Sequence, residues 1–187
     1  MDLRIVKTKK VIREAFLSLR QNYPLEKVKV TDICHIALIN KSTFYKYYTD
    51  VYALSKELEK EVFQNFWDNF VEKDSLISDP RRFFKGLQNS IQTNIDALLP
   101  LYRDRIYYFF NKLEEKLKGY YTHYAANEEE EIQLSFLIIG MLHTFQNFKN
   151  KKEFKLEIVE ESITHIIENM FCVKRKLLPE ENKPKKK

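Results

Sequence analysis

The chain has 187 residues and a formal net charge of +5, with 14 Phe and 11 Tyr but only three glycines and five prolines. So few turn-forming residues disfavour sandwiches and barrels and favour long helices. No apolar segment follows the N-terminal charges, and no run reaches the roughly 18 apolar residues of a membrane span, so a cytoplasmic protein is expected.

The length allows one domain or a small domain fused to a larger one. The charge is uneven. Residues 1–50 carry ten Lys/Arg against five Asp/Glu, whereas residues 51–176 carry 18 against 20. A basic N-terminal segment on a near-neutral body suggests a polyanion-binding module, with a solvated helix face as the plainer reading. Cys34 and Cys172 sit in apolar helical patterns, read as small buried hydrophobes, and form no disulfide framework.

In chain order, a first helix is expected over about 3–22, with Ile5, Ile12, Ala15, Phe16 and Leu19 on one face. Tyr23-Pro24 ends it, because proline pushes the preceding residue out of helical geometry. Two short helices follow, near 31–38 and 41–48. The first buries Ile33, Ile36 and Ala37, and the second starts behind Asn40, a favourable N-cap. So short a connection makes the pair a helix-turn-helix.

A long helix over about 50–72 carries the stripe Leu54, Leu58, Val62, Phe66 and Phe70. After a polar break at 75–79, Pro80 opens a helix to about Leu98. Pro100 interrupts the pattern before further helix over 101–121. Four glutamates, Glu128 to Glu131, suit the N-terminus of a helix reaching Phe148. Its middle is apolar nearly all round and is expected to be buried on most sides. A last helix runs from about Phe154 to Arg175. The basic tail, 177–187, is expected to be disordered.

The informative segment is Val30 to Leu54. Val30, Ile33, Ala37, Ile39, the run Thr43-Phe44-Tyr45, Tyr48 and Leu54 together resemble the N-terminal segment of TetR/AcrR family transcriptional regulators. The Ala15-Phe16 pair upstream agrees. Phe44 and Tyr48, four residues apart, both face the core and anchor the second short helix. Its other residues then crowd the end and face that a recognition helix offers to the major groove.

The resemblance implies an all-α fold of about nine helices. An N-terminal helix-turn-helix domain (1–50) is joined by the long fourth helix to a larger effector-binding and dimerisation domain (51–176). Expected DNA contacts are Thr31, Lys41, Ser42, Thr43, Tyr45, Lys46 and Tyr47. Ser42 and Thr43 offer hydroxyls to base edges, and the lysines and tyrosines reach bases or phosphates. The implied partners are palindromic double-stranded DNA and a second copy of the chain, paired through the helices near 128–148 and 154–175. The chain departs from the family pattern at Leu38, where glycine is usual, so the turn there needs a strained or different backbone. Ser42 also replaces a frequent glycine, Val51 a frequent lysine, and Lys29 a common capping threonine. These departures favour a second reading, an interaction protein or co-regulator of this fold that does not read DNA.

Phe66, Trp67, Phe70, Phe84, Leu87, Tyr107, Tyr108 and Phe110 are the expected lining of a pocket for a small apolar or aromatic effector. An ordinary aromatic core explains the same residues. The four histidines, His35, His123, His143 and His165, have no metal-ligand spacing. Gly86, Gly119 and Gly140 form no phosphate loop. Neither an enzyme nor a cofactor is expected.

Overall fold

The computed structural model describes residues 3–123, 125–148 and 155–175. These residues are all-α, with no strand among them. They form α1 (Leu3–Arg20), α2 (Val30–Ile36), α3 (Lys41–Tyr45), α4 (Val51–Asn69), α5 (Pro80–Thr93), α6 (Ile95–Tyr102), α7 (Ile106–Thr122), α8 (Glu128–Phe148) and α9 (Leu156–Arg175). The tail expected over 177–187 lies outside the described residues, as does the side chain of Cys172.

Several boundaries follow from local chemistry. The Asp50 carboxylate accepts a 2.7 Å hydrogen bond from the Ala53 amide and caps α4. Asp79 accepts from the Arg82 amide beside Pro80, the first residue of α5. At α8 the Asn127 side chain accepts from Glu130 N–H, while the Glu130 carboxylate accepts from Ala126 N–H. The first bond satisfies an amide that a helix start leaves unpaired, and the second holds the chain entering the helix.

The expected helix 80–98 is two helices, and the break is not at Pro100. It falls at Asn94, whose side chain donates to Ser90 O and whose own amide closes a tight turn onto Ile91 O. An Asn side chain competes with the helical backbone in this way. Pro100 lies inside α6, and the stretch expected from Leu101 resumes as helix at Ile106.

The chain divides into two compact units, each discontinuous in sequence. Among the described residues the first comprises those up to Phe70 together with Asn89–Phe109. The second comprises Val71–Gln88 and those from Phe110 onward. The boundary expected after residue 50 falls inside the first unit, where α1 and α4 both pack against α6.

In the first unit Ile12, Phe16, Ile33, Phe44 and Leu54 are fully buried. The stripe Leu54, Leu58, Val62, Phe66 and Phe70 is buried along α4. Phe109 sits edge-on to Phe66 and Tyr102, with ring centroids 5.0 and 5.4 Å apart. Two expectations for the core fail outright, and Ala37, expected to be buried, is only half-buried. Ile5 is exposed, because α1 begins ahead of the segment that packs. Ile36 is 46% exposed at the end of α2, where Cys34 takes the inward position beside Ile33.

The first unit also buries charge. Arg20, only 1% exposed, continues the apolar stripe of Ile12 and Phe16. It donates to Tyr23 O at 2.7 Å, to Leu101 O at 3.1 Å and to the Asp104 carboxylate. Asp104 also accepts from the Leu25 amide. The end of α1 is thereby fastened to the end of α6 and the turn beyond. Nearby, buried Glu59 accepts from Ser55 Oγ at 2.7 Å and from Arg105 at 3.2 Å, and its carbonyl accepts from Tyr102 OH.

In the second unit Leu113, Leu117, Leu134, Leu137, Ile138, Met141, Ile163 and Ile167 are buried. Tyr121 OH donates to Lys73 O and accepts from the Leu76 amide, closing the connector before α5. Gly86 is needed for close approach, since a Cβ there would lie 2.6 Å from Glu72 Cβ. α8 is not buried all round. Leu134, Leu137, Ile138, Met141 and Leu142 point inward, whereas Ile132, Phe136 and Ile139 are exposed.

Burial alone would raise the Asp104 carboxyl, but hydrogen bonds from Arg20 and backbone amides outweigh it and hold it below the ordinary carboxylate range. A folded-state value below the unfolded one gives stability that is complete above about pH 5 and fades as pH falls through about 4. Asp104→Ala leaves the Arg20 charge buried without its carboxylate. It should cost about 3 kcal/mol, the low end for such pairs, because the Asp104 side chain is 26% exposed. Urea unfolding should show this loss at pH 7, and the gap from the parent chain should narrow towards pH 3.

Candidate nucleic-acid interface

α2 and α3 are joined by residues 37–40. The Ile39 amide bonds to Cys34 O at 3.0 Å and the Leu38 amide to His35 O at 3.4 Å. This six-to-one and five-to-two pairing is a Schellman ending, which requires a left-handed residue at its turning point. Leu38 is that residue, with φ 53°, and it alone among the described non-glycine residues has positive φ. The strain expected of a non-glycine residue here is therefore present. The left-handed conformation costs an L-residue about 1–2 kcal/mol, and at 90% exposure Leu38 recovers little by packing. Asn40 opens α3 with its backbone carbonyl, accepting from the Thr43 and Phe44 amides. Its side chain makes no capping bond, and neither does Lys29 at the start of α2.

α3 is held from beneath by Phe44 (0% exposed) and Tyr48 (3%), whose rings lie 5.8 Å apart. This is the expected anchoring. Tyr48 OH also donates to Glu57 at 3.2 Å, and Lys9 lies over its ring. Glu57 accepts from Lys9 at 3.2 Å and Arg13 at 2.6 Å, and Arg13 reaches Glu61 at 2.9 Å. α1, α4 and the end of α3 are tied together by this cluster. Burial would raise the Glu57 carboxyl, yet the bonds from Arg13 and Lys9 leave it lowered. Burial pushes the Tyr48 hydroxyl up, so the ring stays neutral.

With Phe44 and Tyr48 turned inward, the remaining side chains of α3 and its end are presented outward. Lys41, Ser42, Tyr45 and Lys46 are exposed, and Thr43 and Tyr47 half-buried. Tyr45 stands edge-on to Phe44 at 5.6 Å. Neither Lys41 nor Lys46 forms an ion pair among the described residues. Thr31 is exposed on α2 and donates to Asp32 at 3.2 Å. All seven expected contact residues thus lie on or beside this helix pair. Val51, by contrast, is buried at the start of α4. The Cys34 thiol beneath the turn is pushed up by burial, against the pull of Lys41, which disfavours the reactive thiolate.

The residues expected around an effector divide between the units. Phe66, Trp67 and Phe70 belong to the aromatic core of the first, with Phe66–Phe70 and Trp67–Phe70 centroids 6.2 and 6.3 Å apart. Tyr107 and Tyr108 are exposed on α7, and Arg105 stacks over Tyr108 at 4.2 Å. Phe84 and Leu87 are buried in the second unit, Phe84 against Phe145 at 5.7 Å, and Phe110 is half-buried. A groove of about 290 Å³ in the first unit is lined by Gln21, Ile95, Asp96, Leu99, Pro100 and Arg103. Another of about 210 Å³ in the second is lined by Arg81, Phe84, Glu157, Glu160, Glu161 and Thr164. Phe84 is the one expected effector residue in either lining.

No protein-family model matches the chain, and no curated protein matches it.

Leu38→Gly should relieve the left-handed strain. Glycine's greater freedom in the unfolded chain offsets part of the gain, so a rise of up to about 1 kcal/mol is expected in chemical denaturation. Phe44→Ala empties the anchor site and should cost about 3–5 kcal/mol in the same measurement.

Proposed function

We propose that this chain is a sequence-specific DNA-binding transcriptional regulator of the TetR type, acting as a homodimeric repressor. The observation that carries this reading is the outward face of α3. Lys41, Ser42 and Tyr45 on α3 and Lys46 at its end stand exposed, while Phe44 and the following Tyr48 are locked in the core. Such a face supplies hydroxyl groups for base edges and cations and phenols for phosphates. Thr31, Thr43 and Tyr47 flank it. In a dimer two such helices enter successive major grooves about one helical turn apart.

The exposed apolar residues of α8 and α9 support the dimer. Ile132, Phe136 and Ile139 fall at helical spacing on α8, and Ile158 and Ile166 are exposed on α9. A symmetric copy would cover these faces. A small apolar or aromatic effector, bound within the helical body, would favour a dimer whose recognition helices no longer match the DNA.

A second reading is a co-regulator of the same architecture that contacts protein instead of DNA. Burial of Val51 favours it, because the start of α4 then lacks a cationic phosphate contact.

Selection from random duplex DNA decides between the two. Recovery of a palindrome supports the regulator; recovery of no preferred sequence, with a stable dimer in hand, removes it. On the selected site Lys46→Ala should lower affinity and reduce the log–log salt slope of the dimer by about 2, as loss of one phosphate contact per protomer requires. Its thermal midpoint should not move. Phe136→Glu should yield monomers in light scattering with helical content retained, and an unaltered dimer would place the interface elsewhere.

A further inference from the structure

We propose that Leu38 reads DNA, its isobutyl group contacting a thymine methyl at the edge of each half-site. The inference rests on the DNA-binding reading above and extends it to a residue outside α3. Leu38 holds φ 53° and is 90% exposed. The Schellman turn demands a left-handed residue, a place that glycine or asparagine fills without strain. A leucine here strains the backbone and buries almost nothing within the protomer. Persistent strain of this kind marks sites where another molecule makes use of the side chain.

Position and chemistry point to the same occupant. Leu38 lies two residues before Asn40, at the end of α3 that carries Lys41 and Ser42, and a recognition helix meets base edges with its N-terminal residues. An isobutyl group neither donates nor accepts hydrogen bonds. Among the groups that line the major groove, the thymine C5 methyl is the one suited to it.

The test uses the full chain on its selected site, with each thymine replaced in turn by uracil, which removes only the methyl. For the parent chain, uracil at that position in one half-site should weaken binding about fourfold, the worth of one buried methyl-sized group, and in both half-sites about fifteenfold. Leu38→Asn keeps a residue that tolerates the left-handed turn, and Leu38→Gly relaxes it. Both should bind thymine and uracil sites equally, at the parent's affinity for a site with uracil in both half-sites, with thermal midpoints no lower than the parent's. The proposal is overturned if both variants keep the parent's affinity and thymine preference, or if the parent shows no such preference. Normal DNA binding by the variants with loss of a protein partner would assign Leu38 to that partner instead. If the parent chain selects no DNA sequence, the DNA-binding reading itself falls, an outcome distinct from the others.

Discussion

Arg20 is a guanidinium at the end of an amphipathic helix, in a place that an aliphatic residue would ordinarily take. Burying it is unfavourable unless its charge and hydrogen-bonding capacity are met. Tyr23 O, Leu101 O and the Asp104 carboxylate meet most of that need, and together they fix where α1 ends relative to α6. The Tyr23-Pro24 corner, the short turn at Leu25 and the entry into α2 are positioned by the same cluster. The helix-turn-helix is therefore built onto an ion pair as well as onto Phe16 and Ile33. Nonspecific apolar packing tolerates sliding, whereas a guanidinium with three fixed partners does not.

A second charged cluster fixes the end of α3 through Tyr48. Glu57 and Glu61 of α4 draw in Lys9 and Arg13 of α1, and Tyr48 joins through its hydroxyl. α3 has only five residues and could not hold its shape alone. Phe44 gives it a floor and Tyr48 gives it a tether. Its outward side chains can then vary without threatening the fold.

Much of this was legible in the residues themselves. Phe44 and Tyr48 at i and i+4 beside a two-helix pattern foretold both the burial and the exposed face. Leu38 at a turning position foretold a strained backbone, and the stripe from Leu54 to Phe70 foretold α4. Other features needed three dimensions. Asn94 breaks a helix through its own side chain, while Pro100, the more conspicuous breaker, sits inside one. Periodicity made α8 look buried on most sides, because apolar character does not say which faces have a neighbour within the chain. Arg20 did leave a trace, standing four residues beyond Phe16 on the packed face. Its partner Asp104 is 84 positions away and had none.

On the proposed DNA-binding reading, the pairing of α1's cations bears on how the chain would find its site. Lys9, Arg13 and Arg20 are engaged by Glu57, Glu61 and Asp104, so these cations are largely neutralised before any polyanion arrives. Fewer condensed counterions would be displaced on contact with arbitrary duplex. The chain would then dwell only briefly on random sequence, and it would depend for residence on the few groups around α3. Search would proceed more by three-dimensional hopping than by long sliding, and the ratio of specific to nonspecific affinity would survive at moderate salt.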